Sequence, residues 1–324
     1  MIGVGLMGRR HAENLARRIE YARLVAVTDA DRSTSDRVAA ELGAKSCESV
    51  NALLALDDVR AIVIVSPARF HVAHAIAAAG AGKDVFVEKP IATTLAEADR
   101  AIAAAREAGV SLQVGFQRRY DTPYVEARNV VSSGALGRPL FYRGINRDRE
   151  APVGAPGSLA TNDIITESAI HDLDGARWMM ADEVAGVRAS LATIGDNAST
   201  PAPNLAMVEL RFARGAVAHV EAMRGARYGY DIRSEVMCET GAVFVGGFAQ
   251  TMLTVMRGDE RRDDLYPGFL ERYADAYLAE MRDFVAAVRD RRPPAVAGED
   301  GRAALAIALA AGRAAATSTE VALA

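Results

Sequence analysis

In the first third of the chain, short continuous apolar runs alternate with helical stretches. Residues 1–4, 24–28, 61–65, 84–87 and 111–116 read as strands apolar on both faces, as parallel strands buried on two sides require. A helix is expected over 9–19, and another opens on Thr94-x-x-Glu97, a capping box, and continues to Ala108. Strands alternating with helices of this length predict βαβ units in a doubly wound parallel sheet. After residue 120 the period changes. A helix over 123–133 precedes segments 140–146, 184–194, 204–212, 217–224 and 233–238, which alternate in character as half-exposed antiparallel strands do. Residues 269–289 and the Ala-rich 302–316 read as helices, and Gly154-Ala155-Pro156-Gly157-Ser158 as a loop.

The pattern predicts an α/β protein of two domains. Residues 1–118 form a Rossmann domain, and 119–324 an α+β domain with an open, largely antiparallel sheet, the last helix packing back on the first domain. An open sheet with a partly apolar face also predicts a subunit interface, hence a homodimer or homotetramer. Only two residues precede Gly3 in the first strand, fewer than the usual ~5–6. Either the recorded start lies inside the native protein or the strand is clipped.

Composition narrows the classes. With 324 residues, 50% hydrophobic and 25% charged, there is room for two cores. The net charge of -4 leaves no basic footprint for nucleic acid. No run approaches the ~20 apolar residues of a membrane span, and Met1-Ile2-Gly3 does not begin a signal peptide. Two distant cysteines, Cys47 and Cys238, make no disulfide framework and suit a reduced, cytoplasmic setting.

Gly3, Gly5 and Gly8 spell G-x-G-x-x-G around Leu6 and Met7, after an apolar run and at the opening of a helix. Asp29 ends the next strand, near the ~20-residue spacing of a dinucleotide fingerprint. Gly3 permits the turn, Gly5 lets backbone approach a pyrophosphate, and Gly8 lets helix and strand pack, with the phosphates on helix N–H groups. The Asp29 carboxylate suits the ribose hydroxyls of NAD and repels a 2′-phosphate. Like charges at ~4 Å cost roughly 4 kcal/mol at an effective dielectric of ~20. After screening, a preference of one to two decades for NAD is expected.

Three segments carry a family likeness: Gly5-Leu6-Met7-Gly8-Arg9-Arg10-His11, Glu88-Lys89-Pro90, and the helix-opening Glu167-Ser168-Ala169-Ile170-His171-Asp172-Leu173-Asp174. Together they resemble the glucose–fructose oxidoreductase/inositol dehydrogenase family, nearly end to end. Gly115 to Asp121, Asn146-Arg147-Asp148, Tyr228-Gly229-Tyr230-Asp231 and the tail from Phe269 through Arg302 look closest to its inositol 2-dehydrogenase branch. The resemblance implies NAD-dependent oxidation of a secondary hydroxyl of a cyclic polyol or sugar by direct hydride transfer. It implies Lys89, His171 and Glu167 as catalytic residues. It adds Ser66, Pro67, His71, Glu88 and Lys89 to Gly3, Gly5, Leu6, Met7, Gly8 and Asp29 at the cofactor. Around the substrate it sets Lys89, Arg119, Glu167, His171, Asp174 and Tyr230.

Residue chemistry points the same way. Glu167 and His171 are four apart, so on a helix they share a face. An imidazole with an unperturbed pKa of ~6.5 suits a general base near neutrality, which Glu167 can orient. The family often has Asp where Glu167 stands; the longer side chain reaches either His171 or the substrate itself. Lys89 can serve as a proton relay or as a charged donor to the substrate oxygen. His11, His71, His74 and His219 lie in unrelated segments, so no metal is expected. By position His71 and His74 read as structural, and Trp178 as core. Other readings on this scaffold are dehydrogenation of a different sugar or anhydrosugar, NAD-dependent glycoside hydrolysis, and a non-enzymatic sugar or NAD sensor.

Overall fold

The computed structural model describes residues 1–149, 163–195, 202–247 and 249–323. The loop expected at 154–158 lies outside the described residues. The chain forms two compact units, Met1–Tyr120 with Asp275–Leu305, and Asp121–Ala274 with Ala306–Ala324. The boundary lies two residues beyond the expected 118, and residues 275–305 belong with the first unit.

The first unit begins with α1 (Leu6–Arg17), then β1 (Ala26–Val27), α2 (Arg32–Leu42), β2 (Lys45–Ser46), α3 (Val50–Leu54) and β3 (Ala61–Ile64). It continues through α4 (His71–Gly80), β4 (Asp84–Glu88), α5 (Leu95–Ala108) and β5 (Leu112–Gly115). Ile2 bridges in parallel to Thr28 on one side and Ile64 on the other. With β1–β2 and β3–β4–β5 paired in parallel, the order is β2-β1-Ile2-β3-β4-β5. This is the doubly wound order of a dinucleotide-binding sheet, with its switch point beside Ile2. The first strand is short, and the Met1 ammonium donates to the Ala26 carbonyl at 2.7 Å, burial pushing its pKa down to about 5. Local signals set the helix starts: Asp31, Ser49 and Thr94 each cap a first-turn N–H with a side-chain oxygen.

The second unit contains α6 (Thr122–Ser132), β6 (Pro139–Asp148), a π-helical turn (Ile165–Ala169), α7 (Ile170–Met180), β7 (Val184–Ala192), β8 (Leu205–Phe212) and β9 (Val217–Arg224). Then come β10 (Asp231–Cys238), β11 (Ala242–Gly246), β12 (Ala249–Arg257), β13 (Glu260–Leu265) and α8 (Phe269–Arg272). The long α9 (Ala274–Asp290) returns to the first unit, α10 (Gly298–Thr317) has residues in both, and β14 (Val321–Ala322) ends the chain. The expected helix over 269–289 is thus interrupted at Tyr273. The main sheet runs β11-β10-β6-β9-β8-β7-β14, antiparallel except for the parallel pair β6–β9. Its alternation is regular: Ala206, Val208, Leu210 and Phe212 are buried, whereas Met207 faces out. Leu140, Met207, Val217 and Phe244 are exposed apolar residues of this sheet. The β12–β13 hairpin is an element the apolar pattern did not announce.

The reason that 275–305 joins the first unit lies in α9. Leu278, Met281, Phe284 and Val288 share a core with Val4, Leu15, Val63 and Phe86, an apolar stripe at helical spacing that must be covered. Among the described residues, no helix is long and apolar enough to cross a membrane.

Candidate active site

The glycine loop is shaped for a phosphate. Helix α1 starts at Leu6, three residues earlier than expected, and Gly5 at its N-cap gives no side-chain cap to the first turn. A side chain on Gly5 would meet open space. By contrast, one on Gly8 would meet the Gly3 carbonyl oxygen at 2.2 Å, and one on Gly3 (φ +85°) the Val65 oxygen at 2.7 Å. Gly3 and Gly8 therefore close the loop on its strand and helix, and Gly5 leaves an uncapped helix N-terminus facing open space. That is a fit for a pyrophosphate. Leu6 is exposed at this end and Met7 half-buried. Asp29 accepts the Val4 N–H at 2.7 Å and the Asp31 N–H at 3.0 Å. Its carboxylate is thus fixed beside the loop.

The next loop holds Ser66 and Pro67. His71 is buried, with Nδ1 2.8 Å from the Pro90 oxygen and Nε2 2.6 Å from the Ser66 oxygen. Its side chain ties this loop to the turn after β4. His74 contacts the Ser66 hydroxyl at 3.1 Å; burial, then the neighbouring His71, lowers its pKa.

Lys89 follows β4, half-buried, with the Lys89–Pro90 peptide cis. Beneath it, one Glu88 oxygen contacts His11 Nε2 at 2.9 Å and the other accepts the Lys89 N–H at 3.1 Å. The sequence reading left His11 in an unrelated segment; it is Glu88's partner, 77 residues away. Burial pushes the Glu88 carboxyl upward, but the His11 hydrogen bond and charge, with Lys89, outweigh it and hold the pKa below the ordinary value. Glu280, on α9, completes a buried group with His11 and Glu88. Both Glu88 carboxylate oxygens are thus engaged within the protein, one by His11 and one by the Lys89 N–H.

In the second unit, the π-turn carries Glu167 and Ser168 directly into α7, which carries His171 and Asp174. Asp163 anchors the turn, its side chain accepting the Ile165 N–H and its carbonyl the Glu167 N–H, both at 2.9 Å. A π-turn departs from α register, a feature concentrated at functional sites, and here it contains Glu167 and leads into the helix that carries His171. Glu167 and His171 are half-buried and Asp174 is buried. Helix α7 is fastened to β6 through Asn146, which donates to the Ser168 oxygen at 2.9 Å and to Asp172 at 3.1 Å. Tyr230 is buried beside a polar network: Tyr228 donates to Asp231 at 2.6 Å, Arg147 donates to Tyr228 at 2.9 Å, and Arg233 bonds Asp231 at 2.8 Å.

Arg224 was missed by the sequence reading. It is buried at the end of β9, with Nε 3.4 Å from the Ser168 hydroxyl. Burial lowers its pKa, opposed by the charges of Glu167, Asp148 and Asp163. The signal was available: strict alternation along β9 puts Arg224 at an inward position after Ala218, Val220 and Ala222. Arg119, expected at the substrate, gives one donor to Asp300 at 3.2 Å within the first unit. Trp178 is half-buried rather than core.

Residues 1–116 match the oxidoreductase family with NAD-binding Rossmann fold, and 124–244 match the GFO/IDH/MocA C-terminal domain. The myo-inositol 2-dehydrogenase of Thermotoga maritima is 37% identical over 96% of this chain and 94% of its own length. The scyllo-inositol 2-dehydrogenase (NAD(+)) of Bacillus subtilis is 33% identical over 96% and 92%. Among solved structures, scyllo-inositol dehydrogenase from Lactobacillus casei, with bound NAD(H) and scyllo-inositol, superposes with a TM-score of 0.91 at 27% identity, covering 99% of this chain and 97% of that one. The uncapped glycine loop, the carboxylate fixed beside it and these full-length likenesses lead to one conclusion: the chain belongs to the GFO/IDH/MocA family of oxidoreductases and binds NAD.

Proposed function

We propose that this enzyme oxidises a secondary ring hydroxyl of an inositol to the ketone. The observation that carries the reading is likeness, over nearly the whole chain, to two inositol 2-dehydrogenases. Bound NAD supplies the hydride acceptor. The glycine loop forms the phosphate cradle, Asp29 serves the ribose hydroxyls, and Lys89 donates to the reacting oxygen. His171 takes the hydroxyl proton, and Glu167 orients the imidazole and balances its charge once protonated. Asp174 and Tyr230 bind neighbouring hydroxyls, and so does Arg119, whose guanidinium has donors besides the one given to Asp300.

Support for Glu167 as an anion comes from Arg224, on which Glu167 acts more than the other nearby carboxylates, Asp148 and Asp163. The exposed apolar residues of the C-terminal sheet favour pairing of subunits through that face. The two buried free cysteines suit a reducing cytoplasm. An assay of NADH formation against inositol isomers, pyranoses and anhydrosugars tests the substrate class. Turnover of inositols above the other groups supports the reading, and exclusive turnover of a non-inositol sugar overturns it.

A further inference from the structure

Glu280 lies on the apolar face of α9, in series with Tyr277, Met281 and Phe284, and is fully buried. Neither of its carboxylate oxygens has a hydrogen-bond partner. One of them, a Glu88 oxygen and a ring nitrogen of His11 all lie within 4.8 Å of one another. A naked carboxylate in such a place is costly enough that the group takes up a proton instead. Two carboxyl groups sharing one buried site do not both ionise, and their surroundings decide which keeps the proton.

Here the surroundings differ sharply. Glu88 has His11, the Lys89 N–H and the Lys89 ammonium to favour its anion. Glu280 accepts no hydrogen bond on either oxygen. It faces Glu88 and Asp283, and burial, then those two negative charges, push its carboxyl well above the ordinary range.

We propose that Glu280 is a neutral carboxylic acid in the working enzyme and a positioning residue, its O–H completing the Glu88–His11 contact that fixes the backbone of Lys89. The inference rests on the reading that Lys89 serves the reacting oxygen. A neutral Glu280 turned toward Glu88 donates its proton to a carboxylate oxygen. Glu88 is then held from three directions: His11 on α1, its own neighbour Lys89, and α9. The titratable groups around the site are His11 from α1, Glu88 and Lys89 at the end of β4, Asp283 on α9 itself, and Tyr120, which donates to Asp283 at 2.9 Å.

The sign of the pH dependence follows. A carboxyl whose folded pKa is raised contributes fully below its unfolded value, and the contribution is lost as pH rises through the folded value. Wild type therefore has an alkaline weakness that a glutamine at this position lacks.

The test uses the full chain as wild type, Glu280→Gln and Glu280→Leu. In infrared difference spectra without substrate, wild type shows at neutral pH a carboxylic-acid C=O band that Glu280→Gln removes and alkali titrates away. Glu280→Leu, which fills space but cannot donate, lowers kcat by about tenfold to a hundredfold, the cost of a misplaced reacting group, with a smaller change in KM for NAD. Glu280→Gln recovers most of that kcat and extends activity and thermal stability to higher pH. The spectra and the stability profile need no substrate, so they hold whether or not inositol is the true one. The proposal is overturned by any of four results: absence of the band, Glu280→Gln as impaired as Glu280→Leu, Glu280→Leu with wild-type kcat, or a stoichiometric divalent metal that Glu280→Gln releases.

Discussion

Val4 donates its backbone N–H to Asp29 Oδ2 at 2.7 Å, tying the glycine loop to the carboxylate that ends the neighbouring strand. Asp29 thus carries two tasks, loop support and charge. Asn keeps one acceptor oxygen, enough for the Val4 N–H, and loses the charge together with the bond to the Asp31 N–H. Wild type is expected to favour NAD over NADP in kcat/KM by at least about tenfold. Asp29→Asn should narrow that ratio with a smaller loss of Tm than Asp29→Ala, which gives up both bonds. Equal use of both cofactors by wild type contradicts the assignment.

How much of this was legible beforehand depends on the range of the signal. Most strands of the two main sheets announce themselves by local periodicity, whereas the short β2 and β14 and the edge strand β11 do not; the cofactor loop is announced by glycine spacing and a following acid. The stripe on α9 says that it must pack, but not on which core. Likewise, Glu280 in that stripe is visible as a misplaced charge, while its partners His11 and Glu88 are distant in sequence, beyond any periodic pattern. The π-turn leaves no compositional mark, since a changed register within a helix alters no residue type. Hairpin β12–β13 turns at Gly258 (φ +62°), a local cue, but β13 is almost wholly charged and escapes an apolar search.

The seat of α7 on its sheet can be tested at Gly144. A methyl there would stand 2.7 Å from Asp172 Oδ1 and 3.0 Å from its Cβ, forcing α7 off β6 and weakening the Asn146–Asp172 bond. Gly144→Ala is expected to lose about 1–3 kcal/mol, the usual cost of overpacking, and to lower kcat by displacing His171. Urea unfolding reads the first effect as a lower midpoint at unchanged m. An unchanged midpoint contradicts the close packing.

The roles proposed for His171 and Lys89 predict contrasting variants. His171→Ala should cost about 10²–10⁴ in kcat, the range for a positioned acid–base group, with NAD affinity nearly unchanged. Lys89→Arg keeps the charge but cannot release a proton, and Lys89→Met loses the nitrogen altogether. Both should be severely impaired while still binding NAD. Retention of activity by Lys89→Arg alone excludes a relay and leaves electrostatic positioning. Retention by Lys89→Met removes Lys89 from the reacting centre.

Direct transfer of hydride from an inositol ring carbon to NAD is the centre of the account. Myo- and scyllo-inositol deuterated at carbon 2 and at every ring carbon, respectively, turned over once by the enzyme–NAD complex, test it most directly. The account predicts that at least one isomer yields its ketone together with NADH bearing one deuterium at nicotinamide C4, and that His171→Ala suppresses this transfer. Failure of both isomers to reduce NAD, or reduced cofactor without deuterium, contradicts it.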